Sequence, residues 1–258
     1  MLRAPRPGVK PPIRTGPRTV VNPLAAAPGG GYRPGMDSQA AHSAHPTPAP
    51  EPQPASGVAA PPVSPAAPEP APRDLTGVML TTGRLVLAAP TDADIDAIYE
   101  ICQDEAIQAW TMVPSPYERG DARRFVRETV PAGLAAGTDA VFGVYRAVGG
   151  DLLGMVGLHD ITTAQAKHGA QAEVGYWTAP RARRQGYTAE AVRAVCRWGL
   201  ARLELARIEW IAFDGNEASV AVARKVGFTI EGRLRSRHIQ RGRRTDTWIG
   251  SLLPGDPL

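Results

Sequence analysis

The stretch "PRARRQGYTAEAVRAVCRWGLARL", residues 180–203, places three arginines and one glycine directly before a predicted helix. Alanine-rich and apolar residues at helical spacing predict a long helix that begins near Thr188, a residue type that also caps helices. The preceding "AEVGYWTA", residues 172–179, predicts a strand. The chain therefore passes from a strand through a basic turn into a helix, and this unit decides the interpretation of the rest.

This turn has the chemistry of an anion-binding site. The first turn of a helix carries free N–H groups and the positive end of the helix dipole. Gly186 lets a bulky anion approach the backbone, and Arg181, Arg183 and Arg184 add charge that phosphates can pair with. The spacing matches neither of the two commoner phosphate loops. The sequence predicts a pyrophosphate site, and a solvated basic turn is the alternative.

The N-terminal third of the chain differs in composition from the remainder. Of the 26 prolines, 19 lie within residues 1–78, in runs such as "HPTPAPEPQPASGVAAPPVSPAAPEPAP". Such a segment buries too little apolar surface to offset the entropy of ordering. We therefore expect a disordered Pro/Ala-rich tail over residues 1–78 and one folded domain over residues 79–258.

Charge and hydropathy exclude several classes of protein. The tail holds 7 Lys+Arg against 4 Asp+Glu, and the domain holds 22 against 21. A sparse basic arm of this kind favours an inert leader over a nucleic-acid contact. A secretory signal and any run of 18 apolar residues are missing from the sequence, so we expect a cytoplasmic protein without membrane contact. Cys102 and Cys196 have no metal-ligand spacing, and no metal site is expected.

The remaining segments predict the order β α α β β β α β α β β. Thr91 and Asp94 resemble a capping box ahead of the first helix. The second helix, "YERGDARRFVRETVPAGL", is expected to fray near Pro131. "VGGD" predicts a hairpin turn between two strands, and Gly227 predicts the C-terminal cap of "NEASVAVARKVGF". Two final strands meet near Arg241, which completes an α/β sheet with helices on both faces.

These motifs resemble those of the GNAT N-acetyltransferases. Arg183, Gly186 and Thr188 stand at the key positions of that family's [R/Q]-x-x-G-x-[G/A] loop, with Thr188 departing from Gly/Ala. Residues 216–228 match the pattern N-x-x-S-x-x-x-x-x-K-x-G-F. With the opening "TGRLVL", the chain looks most like the ribosomal-protein N-terminal (alanine) acetyltransferase branch. The resemblance covers residues 80–253.

The resemblance implies a GNAT fold, with a central mixed, mostly antiparallel sheet, and acetyl-CoA as co-substrate. Because "MLTTGRLVLAAP" looks like a typical start for such a protein, initiation at Met36 or Met79 is a further expectation. Asn216 is expected to hold the pantetheine arm, to cap its helix, or both. The residues expected to bind acetyl-CoA are Trp177, Arg181, Arg183, Arg184, Gln185, Gly186, Tyr187, Thr188, Asn216 and Lys225.

The resemblance also suggests an acid–base pair. Glu173, on the strand before the turn, is the candidate base, and the alternative is an exposed or arginine-paired strand residue. Ser219 is the candidate acid, since Ala223 stands where other branches use a tyrosine; the alternative is a helix residue that bonds back to a carbonyl. His159 and His238, which have no ligand-spaced partners, are interpreted as ordinary histidines.

The choice of acceptor depends on how easily the amine loses its proton. At pH 7, a neutral lysine amine costs about 4.6 kcal/mol and a neutral α-amine only about 1.1 kcal/mol. The resemblance favours acetyl transfer to a protein N-terminal α-amine. A small-molecule amine and a non-catalytic acyl-CoA-binding module are the alternatives. Residues 103–135 and the terminal hairpin are expected to set acceptor specificity, and the six arginines of "RLRSRHIQRGRR" form either a solvated face or a contact for an acidic acceptor.

Overall fold

The computed structural model describes residues 73–258, so the predicted tail lies, except for its last residues, outside the described part of the chain. Residues 73–78 already belong to the fold. Leu75 is buried, and its backbone N–H donates to the Leu134 carbonyl at 2.9 Å. The Arg73 guanidinium donates to the Leu203 carbonyl at 2.6 Å. The ordered domain therefore extends upstream of the boundary that the sequence predicts at residue 79.

One eight-stranded sheet forms the centre of the fold, in the order β1-β2-β3-β4-β5-β6-β8-β7. Every neighbouring pair is antiparallel except β5 and β6, which are parallel. This confirms a mixed, mostly antiparallel sheet. The strands are β1 (Leu80–Thr81), β2 (Leu85–Ala88), β3 (Ala140–Arg146), β4 (Leu152–His159), β5 (Gln171–Thr178), β6 (Arg207–Phe213), β7 (Thr229–Gln240) and β8 (Arg243–Leu252).

Helices cover both faces of this sheet, as the sequence predicts. Phe142 of β3 meets Trp198 edge to face, whereas Tyr145, on the opposite face by strand alternation, donates its hydroxyl to Asp94. Trp198 lies on α5, and Asp94 directly precedes α1. The helices are α1 (Ile95–Ile101), α2 (Glu105–Trp110), α3 (Arg119–Arg124), α4 (Val130–Ala136), α5 (Tyr187–Arg202) and α6 (Glu217–Val226).

Tryptophan and cysteine side chains of the domain contribute to one hydrophobic core. Trp210 is 1% exposed and Cys102 and Cys196 are both buried, while Trp198 and Trp248 are half-buried against the same core. Within residues 73–258, no helix is both long and apolar enough to cross a membrane.

The prediction that the second helix frays near Pro131 is wrong. A π-helical turn over Phe125–Thr129 separates α3 from α4, and the Val130 N–H donates to the Phe125 carbonyl five residues back. Pro131 thus falls within the first turn of α4, directly after the π-helical turn. The helical path continues to Ala136.

Helix α2 is not predicted by the sequence analysis. Asp104 caps this helix, since its carboxylate accepts a hydrogen bond from the Ile107 backbone N–H at 2.9 Å. The helix has only six residues, too few to show a hydrophobic period. It matters because it lies within residues 103–135, which are expected to set acceptor specificity, and it contacts the terminal hairpin through Gln240.

Gly227 ends α6 in the left-handed conformation, with φ +116°, as the sequence predicts. A Cβ atom at this position would lie 2.3 Å from the Pro257 carbonyl oxygen. We expect Gly227→Ala to lower the free energy of unfolding by about 2–3 kcal/mol, through backbone strain and this overlap. Urea denaturation followed by circular dichroism measures the change.

Gly120→Ala is the matched control. Gly120 lies on α3, and a Cβ there meets no atom within 4 Å. Because alanine has a higher helix propensity than glycine, this substitution should stabilise the protein by about 0.5–1 kcal/mol. Equal effects of the two alanine substitutions would contradict the assigned role of Gly227.

Candidate active site

The two central parallel strands separate part-way along their length. They pair only from Gln171 with Arg207 to Val174 with Trp210, although β5 continues to Thr178 and β6 to Phe213. Beyond these pairs, β5 is held by β4 and β6 is held by β8. The facing edges leave a gap whose backbone groups can bind an extended, amide-bearing ligand.

The basic turn lies directly after β5 and before α5. Arg184 and Gly186 both adopt the left-handed conformation, with φ +62° and +81°, and α5 begins at Tyr187 with Gly186 as its N-cap. A Cβ on Gly186 would have Arg84 Nη2 and Lys225 Nζ as its nearest neighbours, both at 3.6 Å. The N-terminus of α5 thus opens into a space bordered by two cationic side chains.

Thr188 does not cap α5, contrary to the sequence interpretation. It lies inside the first turn, and its hydroxyl is 2.6 Å from the Thr178 hydroxyl at the end of β5. Because Gly186 already occupies the cap position, Thr188 instead ties the helix to the preceding strand.

Three polar side chains of the turn bind groups of the protein itself and hold the turn against its neighbours. The Arg183 guanidinium donates to Asp104 Oδ1 at 2.6 Å and to the Thr178 carbonyl at 3.2 Å. Arg181 donates to the Leu152 carbonyl, and the Gln185 amide donates to the Arg181 carbonyl, both at 2.8 Å. Arg184 is exposed. The Arg183 bond also holds the pKa of the Asp104 carboxyl below its ordinary value.

Two arginines that the sequence analysis did not assign to the site hold Tyr187. The Arg84 guanidinium lies 4.6 Å from the centre of the Tyr187 ring, and Arg146 donates to the Tyr187 hydroxyl at 2.9 Å. Arg84 also bonds Glu190 at 2.7 Å. The "TGRLVL" motif contains Arg84, but its contact with a helix 100 residues later has no local signal.

A shallow pocket, open to solvent, lies beside β5. Three residues that were predicted to bind acetyl-CoA come together in its wall, although only two of them are neighbours in sequence: Trp177, Tyr187 and Thr188. Met155 of β4 and Tyr176 of β5 also line it. The pocket lies between the start of α5 and strands β4 and β5.

Glu173 lies half-buried on β5, directly opposite His159 of β4 and Glu209 of β6. Burial, together with the negative charges of Asp160 and Glu209, raises the pKa of its carboxyl to about 8, and the positive charge of Arg237 opposes this shift. The geometry disfavours the alternative of an arginine-paired surface residue, because its two direct cross-strand neighbours are a histidine and a second glutamate. A carboxyl in this state takes up and releases a proton near neutral pH.

His159 has a partner that the sequence did not indicate. Its Nδ1 lies 3.0 Å from Asp139 Oδ1, and the ring is 8% exposed. Burial pushes the pKa of Asp139 upward, but the hydrogen bonds from His159 and Thr138 hold it below its ordinary value. The pair fixes the side chain across from Glu173.

Ser219 lies at the start of α6 in a network of three side chains. Its Oγ is 2.9 Å from the Tyr176 hydroxyl and accepts from Trp210 Nε1 at 3.0 Å. Tyr176 is three residues from Glu173 on the same strand, so strand alternation places them on opposite faces of the sheet. Glu173 and Ser219 are therefore not in contact but flank the gap from its two sides. Ala223, at the position where other branches use a tyrosine, is buried, and α6 contains no tyrosine that could reach the gap.

Asn216 caps α6, as one of its two predicted roles requires. Its side-chain oxygen accepts a hydrogen bond from the Ser219 backbone N–H at 3.2 Å. The amide nitrogen of the same side chain is thereby turned away from that N–H. Lys225 lies on the last turn of α6, beside Gly186 of the basic turn.

The sequence profile of the acetyltransferase (GNAT) domain matches residues 84–229, a span that includes the gap, the basic turn and α6. The chain belongs to the GNAT acetyltransferase family. It is thus an acetyl-CoA-dependent acyltransferase, and the GNAT fold that the sequence predicts is confirmed. The uncharacterised N-acetyltransferase YoaA of Bacillus subtilis is 30% identical over 175 residues, which are 68% of this chain and 96% of that relative.

Two solved structures show the same GNAT architecture. A candidate ribosomal-protein-serine acetyltransferase from Vibrio cholerae is 25% identical, with a TM-score of 0.60 over 69% of this chain and 98% of that one. The spermidine N-acetyltransferase of Vibrio cholerae, solved with CoA and spermine, is 21% identical, with a TM-score of 0.56 over 67% and 96% of the two chains. At this identity, the similarity to the spermidine N-acetyltransferase shows a shared fold only.

The residues around the gap suit acetyl-CoA. A Cβ at Gly186 would meet only the ends of two cationic side chains, and a backbone bordered by two cations fits a pyrophosphate. The unpaired strand edges fit the amides of a pantetheine arm. Among residues 73–258 there is no cluster of three or more side chains that could hold a metal ion.

Lys225→Gln tests the cationic border of the turn. Removing this charge should weaken acetyl-CoA binding about three- to tenfold, because one exposed charge-assisted contact is lost. Calorimetric titration measures the dissociation constant. Acetyl-pantetheine, which lacks the diphosphate, should bind the variant and the unmodified protein equally.

Arg224→Gln is the control. Arg224 is the exposed neighbour of Lys225 on the same helix, and this substitution also removes one positive charge. If both variants lost the same affinity, or if acetyl-pantetheine were affected as well, Lys225 would have no specific role beside Gly186.

The carboxyl of Glu173 should make stability depend on pH. Its pKa is about 8 in the folded protein against an ordinary value of about 4.5, so the folded state keeps a proton that the unfolded state releases. The free energy of unfolding should therefore fall as the pH rises from about 4.5 to about 8. Glu173→Gln, which stays neutral, should gain about 1–3 kcal/mol over the unmodified protein above pH 8, and little below pH 5.

Urea denaturation at pH 5 and pH 9 measures both values. Glu128→Gln removes an exposed glutamate on the π-helical turn and serves as the control. The assignment fails if Glu173→Gln gives the same gain at both pH values.

Proposed function

We propose that this acetyltransferase modifies the N-terminal α-amine of a polypeptide, with Glu173 as general base. The proposal is supported chiefly by the pKa of Glu173, about 8, at the inner end of the gap. An α-amine has a pKa of about 7.8, so proton transfer from its ammonium form to Glu173 is nearly balanced. Transfer from a lysine ammonium, with a pKa of about 10.4, would cost about 3.5 kcal/mol more.

The residues of the turn hold the donor and leave the reacting end in the gap. Gly186 and the first N–H groups of α5 receive the pyrophosphate, and Lys225 adds a positive charge beside them. The free edges of β5 and β6 receive the arm. When bound, acetyl-CoA supplies an acetyl thioester that a neutral amine can attack.

The acid–base requirements of the transfer fall on the two faces of the gap. A C–N bond forms and a C–S bond breaks, so one proton leaves the amine nitrogen and one must reach the sulfur. Glu173 accepts the first on its face of the sheet. Ser219 donates the second on the other face, and the Tyr176 hydroxyl at 2.9 Å can replace the proton that Ser219 gives up.

Tyr176 and Trp210 position Ser219 in this proposal. Trp210 Nε1 only donates, so it fixes one lone pair of the serine oxygen and leaves the hydroxyl proton free to point elsewhere. Burial raises the pKa of Tyr176 to about 12, which keeps the phenol protonated and able to donate.

A small-molecule amine is the alternative acceptor, and the spermidine N-acetyltransferase shares the fold. Primary amines of that kind have basicities like lysine, so they match Glu173 less well. A non-catalytic acyl-CoA-binding role would leave the proton affinity of Glu173 without a use.

Acetylation rates with three acceptors test the proposal. A peptide that begins with Ser or Ala should be acetylated faster than spermidine and faster than an N-terminally blocked peptide with one lysine. The rate kcat/KM for the first peptide should rise through about pH 8, as Glu173 and the amine lose their protons. Glu173→Gln should lower kcat about 10²- to 10⁴-fold and remove this dependence on Glu173.

Glu209→Gln, on the neighbouring strand, is the control and should keep most of the activity while shifting the profile to lower pH, because one negative charge near Glu173 is gone. Preferred acetylation of spermidine would refute the proposed acceptor. Unchanged turnover in Glu173→Gln would refute the proposed base, and no turnover with any amine would support the non-catalytic role.

A further inference from the structure

The hairpin of β7 and β8 carries an uncompensated concentration of positive charge. Residues 233–244 contain six arginines and no acidic residue, although the domain as a whole is nearly balanced. Arg233 is neutralised by Asp214 and Asp246, at 2.6 and 3.0 Å. Among the described residues, the other five arginines form no ion pair, and all five are exposed. They are Arg235, Arg237, Arg241, Arg243 and Arg244.

Strand register divides these arginines between the two faces of the hairpin. Gln240 pairs with Arg243, and Gln240 donates to the Ala109 and Thr111 carbonyls of the α2 end at 2.9 and 3.0 Å. Arg243 therefore lies on the face that meets α2. Arg244 alternates to the other face, where its guanidinium donates to the Ser236 carbonyl.

Arg241 belongs to the α2 side as well. It occupies the tight turn with Gly242, in the left-handed conformation, and its guanidinium donates to the Gln108 carbonyl of α2. This bond leaves the charge exposed, because a backbone carbonyl does not neutralise a guanidinium.

A bulge interrupts β7 next to Arg237. Residues 235–237 oppose Asp246 alone, and the Ser236 N–H donates to the Asp246 carboxylate at 2.8 Å with φ +51° at Ser236. We call Arg237, Arg241 and Arg243 the arginine rim. Glu173 pairs with Glu209 and Glu209 pairs with Ser251, so alternation along β8 places Arg243 on the face of the sheet that carries Glu173. The charge of Arg237 also acts on the Glu173 carboxyl.

For the rim to select acceptors, the anionic group that it binds must belong to the same molecule as the amine that reaches Glu173. A nucleic acid has no aliphatic amine to present there, and a polyamine is repelled by like charge. A polypeptide satisfies both conditions when its α-amine is followed by carboxylates. Charge complementarity of this kind speeds association and suppresses partners of the wrong charge.

We propose that the arginine rim selects acceptor polypeptides that carry Asp or Glu within the first several residues after the N-terminus. This inference rests on the proposed N-terminal acetylation. It adds a requirement that the chemistry at Glu173 does not impose, because proton transfer depends on the α-amine alone.

Three peptides that share their first two residues test the proposal. One carries four acidic residues at positions 4–7, one four neutral polar residues and one four lysines. The acidic peptide should have the lowest KM and the lysine peptide the highest, with similar kcat values. Raising NaCl from 50 to 300 mM should raise the KM of the acidic peptide and remove most of the difference, since salt screens exposed charges.

Two double variants of the hairpin provide a matched comparison. Arg241→Gln/Arg243→Gln removes two charges of the rim and leaves Arg237 beside Glu173 untouched. It should raise the KM for the acidic peptide about five- to twentyfold and leave the neutral peptide unchanged. Arg235→Gln/Arg244→Gln removes two charges from the same hairpin, one of which also bonds a backbone carbonyl, and should have little effect.

The outcomes separate this inference from the proposed function. If all three peptides are acetylated with equal KM, or if both double variants act alike, the rim does not select acceptors while N-terminal acetylation stands. If spermidine is acetylated and no peptide is, the proposed function falls and this inference with it. If the rim variant loses retention of a short RNA but treats the three peptides alike, the rim is a nucleic-acid contact and the inference is overturned.

Discussion

The hydrogen bonds among Tyr176, Trp210 and Ser219 fix the opening on which the site depends. Tyr176 belongs to β5 and Trp210 to β6, the two strands that stop pairing at Val174, and Ser219 begins α6. One serine hydroxyl thus joins both strands to a helix at the point where they part. Because Trp210 is fully packed in the core, the separation is held by the rigid part of the fold rather than by a loop.

Burial explains the unusual state of Glu173, which lies just inside the last paired residues of β5 and β6. A carboxyl on a solvent-facing strand would stay ionised at neutral pH. Here, partial burial and the charges of Asp160 and Glu209 oppose ionisation, and Arg237 opposes them in turn. The charge of Arg237 thereby connects the β7–β8 hairpin with the proton affinity of Glu173.

Local sequence patterns predict much of the architecture. The turn at Gly186, the cap at Gly227 and the final hairpin depend on neighbouring residues, and their sequence signals are correspondingly direct. The prediction that the helix frays near Pro131 is wrong because a π-helical turn leaves no distinct pattern in the sequence. The branch assignment and the acceptor depend on properties that a local pattern does not contain.

Contacts between distant segments account for the rest. Asp104 and Arg183 are 79 positions apart, and no pattern in either segment predicts that one helix cap would brace the basic turn. The pairing of His159 with Asp139 also follows only from the fold, since each residue alone looks like an ordinary polar side chain. The sequence identified the candidate residues around the gap, but the division of Glu173 and Ser219 between two faces required the strand register.

Strand β7 is also the outer edge of the sheet, and this has a consequence for solubility. A twelve-residue edge with free backbone groups invites pairing with the same edge of another copy. Irregular register near Ile230 and again after Leu234 interrupts that template, and a row of arginines sets like charge against like charge. The opposite edge, β1, has only two residues. Both borders of the sheet are thereby poor starting points for aggregation.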